Sequence, residues 1–147
     1  MRYDLAAYDR LGQLVLAVEV KAVSSTDAEW ASSFREFLFD EAGYPRPPFF
    51  LLATPDRFYL WDCRSGPEQT PKMWEFDAGP LLAPYFQGTG ISADRIHGEA
   101  FELMVSTWLA DLMRPWQASP GDGEQCLRES GLIETLRGGT LAYESAV

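Results

Sequence analysis

The first 21 residues contain two apolar runs, and each run carries charged side chains where a strand interior normally has none. Asp4 stands in the first run, and Glu19 and Lys21 stand at the end of the second, among Leu, Val and Ala. Charged side chains are rarely buried unless they are paired or bind a metal ion. The chain is therefore restricted to folds in which a strand hairpin brings two acids and a lysine to a functional site or into an ion pair.

The two runs predict a hairpin. Residues 2–8 and 14–21 have the apolar composition of strands, and residues 9–13, which include a glycine, form the connecting turn. The second run is apolar at both even and odd positions, which is typical of a strand covered on both faces. The sequence therefore places residues 14–21 in the middle of a sheet.

A helix and a parallel strand are predicted next. Thr26 and Glu29 have the spacing of a capping box, and apolar residues recur every three or four positions until Gly43. Residues 48–54 again form an apolar run. A strand, a helix and a strand within about 40 residues make a βαβ unit, so residues 14–21 and 48–54 should be parallel. We therefore expect an α/β fold, a mixed sheet flanked by helices.

The remaining segments are assigned from the same patterns. Residues 57–61 should return antiparallel to residues 48–54 after a turn. Prolines and glycines over residues 63–91 predict a long loop with one short helix near residues 81–86. The other assignments are a helix capped at 92–94 and running to 113, a linker at 114–123, a helix at 124–136 and an edge strand at 140–145.

Length and composition indicate one globular domain, residues 1–147. No run of 18 apolar residues is present, and an acid at position 4 comes too early for a signal peptide, so we expect no membrane span and no secretion. Cys63 and Cys126 are far apart and lack metal-ligand spacing, which favours reduced thiols in a cytoplasmic protein. His97 is the single histidine, which leaves too few ligands for a zinc site.

The net charge of −10 opposes nucleic-acid binding, because phosphate contacts are made by Lys and Arg. The chain has 12 basic residues against 22 acidic ones. Three explanations stay open: the basic residues cluster in the fold, a partner supplies the DNA contacts, or the chain does not bind nucleic acid. Arg35, on the predicted helix, has the reach to contact a phosphate, but a solvated helix face is the simpler prediction for it.

The pairing register of the hairpin decides whether the three charged residues meet. Glu19 and Lys21 share one face of their strand because side chains alternate. In an antiparallel pair, the numbers of two opposed residues add to a constant sum. If that sum is odd, as a two- or four-residue turn gives, Asp4 lies on the face of Glu19 and Lys21. A three-residue turn with a bulge at Gly12 would send Asp4 to the opposite face. We expect the odd sum, because it brings Asp4 to its only plausible partners.

Two carboxylates on one face form a site for Mg²⁺, a hard cation that takes oxygen ligands and keeps several waters. Asp4 and Glu19 would supply the carboxylates, and the Val20 carbonyl a third oxygen. The metal would lower the pKa of a bound water and neutralise phosphate charge, while Lys21 would orient the water or stabilise the transition state. The structural alternatives are a strand-end ion pair of Glu19 with Lys21 and an exposed Asp4.

The hairpin resembles the PD-(D/E)xK nuclease superfamily, whose signature is an Asp on one strand and Glu-x-Lys on the next. Tyr3-Asp4 stands where that family usually has Pro-Asp, and Glu19-Val20-Lys21 fits the second half. The segment Phe50–Trp61 looks like small bacterial members of the superfamily. The resemblance implies a restriction-endonuclease-like fold and a Mg²⁺- or Mn²⁺-dependent DNA endonuclease or phosphodiesterase. Asp4 and Glu19 would then bind metal, and Lys21 would assist the nucleophile.

The chain departs from the family at its start. The family core, αβββαβ, begins with a helix and a strand before the Asp, which here is the fourth residue. Three explanations stay open: the chain is shortened, its starting methionine is placed too late, or another chain supplies those elements. We expect a core over residues 2–62 without its first helix and strand, followed by a helical extension over residues 92–147. The missing strand would leave a sheet edge to cover, which favours a homodimer. The rival hypotheses are an inactive nuclease fold serving as an interaction module and, from charge alone, an acidic DNA mimic or immunity protein.

Overall fold

A six-stranded mixed sheet forms the centre of the computed structural model, which describes residues 3–66, 70–114 and 125–143. The strands lie side by side in the order β5-β4-β3-β2-β1-β6. Strands β2 and β3 are parallel, and the other neighbouring pairs are antiparallel. The strands are β1 (Leu5–Tyr8), β2 (Leu14–Val20), β3 (Phe49–Ala53), β4 (Arg57–Asp62), β5 (Lys72–Asp77) and β6 (Thr140–Tyr143). The predicted α/β class with a mixed sheet is confirmed.

Helices cover both faces of this sheet. The first face is covered by α1 and the π-helical turn that continues it, and the second by the four later helices. No helix in the described ranges is long and apolar enough to cross a membrane. The helical elements are α1 (Ala28–Glu36), the π-helical turn (Phe37–Glu41), α2 (Gly79–Gln87), α3 (Gly98–Leu112), α4 (Gln125–Glu129) and α5 (Leu132–Leu136).

The sheet separates two apolar cores, and β2 contributes to both. Leu16 and Val18 face the core that α3 covers, while Ala17 faces the smaller core under α1. All three side chains are fully buried. Alternation of side chains along a strand thus places Glu19 on the face of Ala17. The prediction that residues 14–21 form a central strand covered on both sides is confirmed.

The order of the first elements agrees with the sequence pattern, but two helix starts were wrong. Strands β1 and β2 form the predicted hairpin, and β3 follows α1 in parallel with β2. Asp27 rather than Thr26 caps α1, because the Asp27 carboxylate accepts a backbone N–H at 2.8 Å. Helix α3 begins at Gly98 rather than at residues 92–94, since Ser92 instead bonds to Asp94 at 2.7 Å within a turn.

The second half of the chain differs more from the prediction. Segment 63–91 contains the expected helix, α2, but also β5, a partly exposed strand that polar and proline-rich neighbours concealed. The helix predicted over residues 124–136 is split into α4 and α5 by Gly131, whose φ of 83° is left-handed. Nearly all of the linker predicted at 114–123 lies outside the described residues.

Strand β6 pairs with the outer edge of β1, as the predicted edge strand allows. Leu5 to Tyr8 are opposed by Tyr143 to Thr140 in an antiparallel ladder. The edge that the missing first strand would have left open is therefore occupied by the same chain, and this argument for a homodimer is wrong. Gly139 makes the pairing possible, because a Cβ there would lie 1.9 Å from the Tyr8 carbonyl oxygen.

Gly139→Ala should destabilise the protein by roughly 1–3 kcal/mol or more, because the added methyl group overlaps a backbone oxygen that cannot rotate away. The measurement is the free energy of unfolding from urea denaturation. Gly98→Ala is the matched control, since a Cβ at this helix start meets nothing within 4 Å. Equal urea midpoints for the two variants would contradict the close approach of β6 to β1.

Candidate active site

The observed register brings Asp4 opposite Glu19. Leu5 pairs with Val18 and Ala7 with Leu16, so paired residue numbers add to 23, the odd sum that the site requires. The connecting segment is residues 9–13, as predicted, and a β-bulge between Ala7 and Tyr8 shifts the register by one residue. Without the bulge, the register at the turn end would place Asp4 on the other face. The expected odd-sum register is confirmed, but a bulge produces it rather than a two- or four-residue turn.

Asp4 is tied to the end of β2 by its side chain. Its Oδ2 accepts the Val20 N–H at 2.8 Å, and its carboxyl group is hydrogen-bonded to that of Glu19. The N–H and C=O of one strand residue point to the same side, so the Val20 carbonyl also faces Asp4. Asp4 is half-buried, and the interpretation of it as a simple exposed residue is wrong.

Glu19 is a buried acid whose proton affinity is raised. Its side chain is 4% exposed, and burial together with the Asp4 charge and hydrogen bond raises the pKa of Glu19 to about 8. Lys21 opposes this shift, and Glu102 on α3 adds to it. Glu19 is therefore mostly protonated at neutral pH, and a cation placed between the two carboxyl groups would relieve the crowding that raises its pKa.

Lys21 lies on the same side as the two acids but is held by an aromatic ring. Its Nζ is 5.2 Å from the centre of the Phe34 ring, and its backbone N–H donates to the Ala53 carbonyl at 2.9 Å. Among the described residues, no ion pair within 4.0 Å joins Lys21 to Glu19. The simple strand-end ion pair is thus not formed, and the ammonium group stays available for another anion.

Two tyrosines that the sequence did not indicate form the other wall of the site. The Tyr3 and Tyr44 rings meet edge to face with centres 5.0 Å apart, and the Tyr3 hydroxyl donates to the Pro45 carbonyl. The pKa of both hydroxyl groups is raised, mainly by burial and next by the charge of Glu19. Tyr44 reaches the site from the loop after the π-helical turn, so its position depends on the path of that loop and no sequence pattern reveals it.

The site offers about the smallest number of protein oxygen ligands with which Mg²⁺ is commonly bound. Within the described ranges, no group of three or more His, Cys, Asp or Glu side chains is placed to hold a metal ion. The candidate centre instead offers the carboxyl groups of Asp4 and Glu19 and the backbone carbonyl of Val20. Magnesium is commonly held by one or two carboxylates and keeps several waters, so this set suffices for it and not for a Ca²⁺-type cage.

The arginines of the α1 face lie elsewhere. Arg35, Arg46 and Arg64 line a separate cavity beside the π-helical turn rather than the Asp4–Glu19 pair. Arg35 is half-buried against Phe39 and Trp61, so the prediction of a solvated helix face is wrong for it. Basic residues therefore do cluster in the fold, but the cluster lines this separate cavity rather than the Asp4–Glu19 pair.

A scan against protein-family models, a search of curated proteins and a search of solved structures found no match to this chain.

Glu19→Gln should make the protein more stable than wild type at alkaline pH. The pKa of the Glu19 carboxyl is about 8 in the folded protein and about 4.5 in the unfolded chain. The neutral carboxyl therefore contributes its whole stabilisation below pH 4.5, and this stabilisation is lost as the pH rises through 8. From pH 5 to pH 9 the variant should gain several kcal/mol on the wild type, since each pKa unit corresponds to about 1.4 kcal/mol. Urea denaturation across this range measures the difference.

The exposed Glu41, changed to Gln, is the control for loss of one negative charge, and its stability should follow the wild-type pH profile. Parallel profiles for Glu19→Gln and Glu41→Gln would show that the Asp4–Glu19 contact does not hold a proton.

Proposed function

We propose that this protein is a Mg²⁺- or Mn²⁺-dependent phosphodiesterase that cleaves DNA, with a restriction-endonuclease-like core of the PD-(D/E)xK kind. One observation carries the proposal. The bulged register of β1 and β2 brings Asp4 against Glu19 with Lys21 on the same side, which is the arrangement that the sequence resemblance requires.

The topology supports the same assignment. Strands β1 and β2, helix α1 and strand β3 follow the strand, strand, helix and strand order of the second part of the αβββαβ core. A first strand would pair with the outer edge of β1, and β6 pairs there. A C-terminal strand thus occupies the edge that a missing first strand would have left open.

Each residue then has a defined task. Asp4, Glu19 and the Val20 carbonyl would hold the ion, and the Val20 N–H fixes the orientation of the Asp4 carboxylate. Mg²⁺ bound there would supply charge neutralisation at the phosphate and a coordinated water of lowered pKa. Lys21, now over the Phe34 ring, has the length to contact a phosphate oxygen or the attacking water.

The proposal also covers location and partners. A cytoplasmic protein acting on DNA is consistent with a free Cys63 thiol. A homodimer stays part of the proposal only because strand-cutting enzymes of this class often pair, since β6 removes the argument from an open β1 edge.

Lys21→Ala should reduce plasmid nicking in Mg²⁺ or Mn²⁺ by about 100-fold or more, because one preorganised electrostatic contact at a transition state contributes about that factor. Lys72→Ala is the matched control. Lys72 also lies over an aromatic ring, 4.9 Å from the centre of Trp74, but on β5 at the far edge of the sheet. Nicking that both variants retain to the same extent would rule out the catalytic role of Lys21.

Magnesium binding should strengthen as the pH is raised through 8, because the ion competes with the proton on Glu19. Isothermal titration calorimetry at pH 6.5 and pH 9 measures the two affinities. Glu19→Gln should abolish binding, while Glu75→Gln on β5 should leave it unchanged. Binding that survives Glu19→Gln would place the metal elsewhere.

A second candidate is an interaction module that keeps the fold without catalysis. It is favoured by the net charge of −10, by the raised pKa of Glu19 and by the position of Lys21 on the Phe34 ring. The metal titration separates the two hypotheses, because an inactive module has no reason to bind Mg²⁺ at Asp4 and Glu19.

A further inference from the structure

A cavity of about 640 Å³ opens between the C-terminal end of α1, the loop before β3 and the end of β4. Its volume is within the range of small-molecule sites, about 300–1,000 Å³. Arginines, prolines and aromatic carbon form most of the wall, together with one thiol and one hydroxyl. The residues used below are Arg35, Arg46 and Arg64 with Phe39, Cys63 and Thr70.

Arg35 has a buried donor that nothing in the described part of the chain satisfies. Its guanidinium lies between two rings, with its central carbon 5.6 Å from the centre of Trp61 and 5.7 Å from that of Phe39. Among the described residues, no carboxylate pairs with the Arg35 guanidinium, and its buried Nε has no acceptor. Because Nε is shielded while the residue lines the cavity, an anion there would bind through the other guanidinium N–H groups.

The two other arginines differ in how firmly they are paired. Arg64 makes bidentate contacts to Asp62, which is largely shielded, and this charge is neutralised within the protein. Arg46 lies over the Phe39 ring and has one 2.9 Å contact to Asp40, whose side chain is 62% exposed. Exposed pairs of this kind contribute little, so Arg46 can exchange Asp40 for a stronger anion.

Cys63 also lines this cavity. Burial raises the pKa of Cys63, the charges of Arg35 and Arg46 oppose that rise, and all three residues line the cavity. The opposing charges of Glu36 and Asp40 also border the cavity. With Arg64 paired to Asp62 and Arg46 to Asp40, the charges left at the cavity are those of Arg35 and Glu36, so an anion would be held by directed guanidinium N–H donors rather than by an excess of positive charge.

We propose that this cavity binds a small molecule through a phosphate group, with Arg35 and Arg46 holding the phosphate oxygens and Thr70 donating its hydroxyl. Guanidinium groups match phosphate oxygens with paired N–H donors, and two of them favour a dianion over a single carboxylate. A small ligand fits better than a long nucleic acid here, because the site is a concave cavity. Asp4, Glu19 and Lys21 do not line this cavity.

Protection of Cys63 from alkylation tests the proposal. In a Cys126→Ser background, the rate of Cys63 alkylation is measured with inorganic phosphate, adenosine 5′-monophosphate, adenosine, and a 5′-phosphorylated oligonucleotide. A phosphate probe at ten times its dissociation constant should slow the reaction about tenfold, since about one molecule in eleven stays unbound. Protection by either phosphate or the monophosphate, with none by adenosine, supports the proposal.

Arg35→Gln should abolish that protection, and Arg35→Lys, which keeps the charge but loses the forked guanidinium donors, should weaken it. Arg57→Gln is the matched control, because Arg57 lies on β4 outside the cavity and pairs with Glu75. Circular dichroism confirms that each variant is folded, and Lys21→Ala should be protected like the wild type. Equal protection in Arg35→Gln, protection by adenosine, or protection by the oligonucleotide alone would overturn the proposal.

Discussion

The hydrogen-bonded junction of Asp4 with the end of β2 is the interaction on which the candidate site depends. One carboxylate oxygen of Asp4 accepts the Val20 N–H where the β1 ladder has ended, and the carboxyl group also meets Glu19. A strand end normally leaves such an N–H to water. Here a side chain satisfies the backbone and at the same time brings a second acid against a buried one.

That junction depends in turn on the bulge of the hairpin. Side chains on a strand alternate with a period of two, so a shift of one residue exchanges the two faces. The bulge opposite Ala7 and Tyr8 supplies that shift, and the two apolar cores then hold it in place, because Leu16 and Val18 would otherwise leave the larger core. Packing far from the acids therefore determines whether the acids meet.

The structure separates two kinds of polar chemistry on one sheet face. The first, the candidate site, has two carboxyl groups, a backbone carbonyl and a lysine. The second, the cavity, has guanidinium groups on aromatic rings. Helix α1 contributes to both, through Phe34 at the first and Arg35 at the second. Adjacent helix positions point in different directions, which allows one helix to border two sites.

Local patterns made the hairpin, the parallel β2–β3 pair and the three charged site residues predictable, because alternation and helical periodicity are properties of neighbouring residues. Strand β5 and the break at Gly131 were not predictable in this way. The first is stabilised by pairing with β4 and by the contact of Phe76 with Phe58, and the second by a left-handed backbone that a single glycine permits.

The sequence by itself identified the three charged residues of the candidate site, since Asp4, Glu19 and Lys21 interrupt apolar runs that would otherwise contain no charge. Only the tertiary structure decided that β6 closes the edge of β1, that Tyr44 borders the acids and that three arginines meet at one cavity. These arrangements join residues far apart in the chain. They are set by the loop paths and by the bulge, which depend on the packing of the whole sheet rather than on any local pattern.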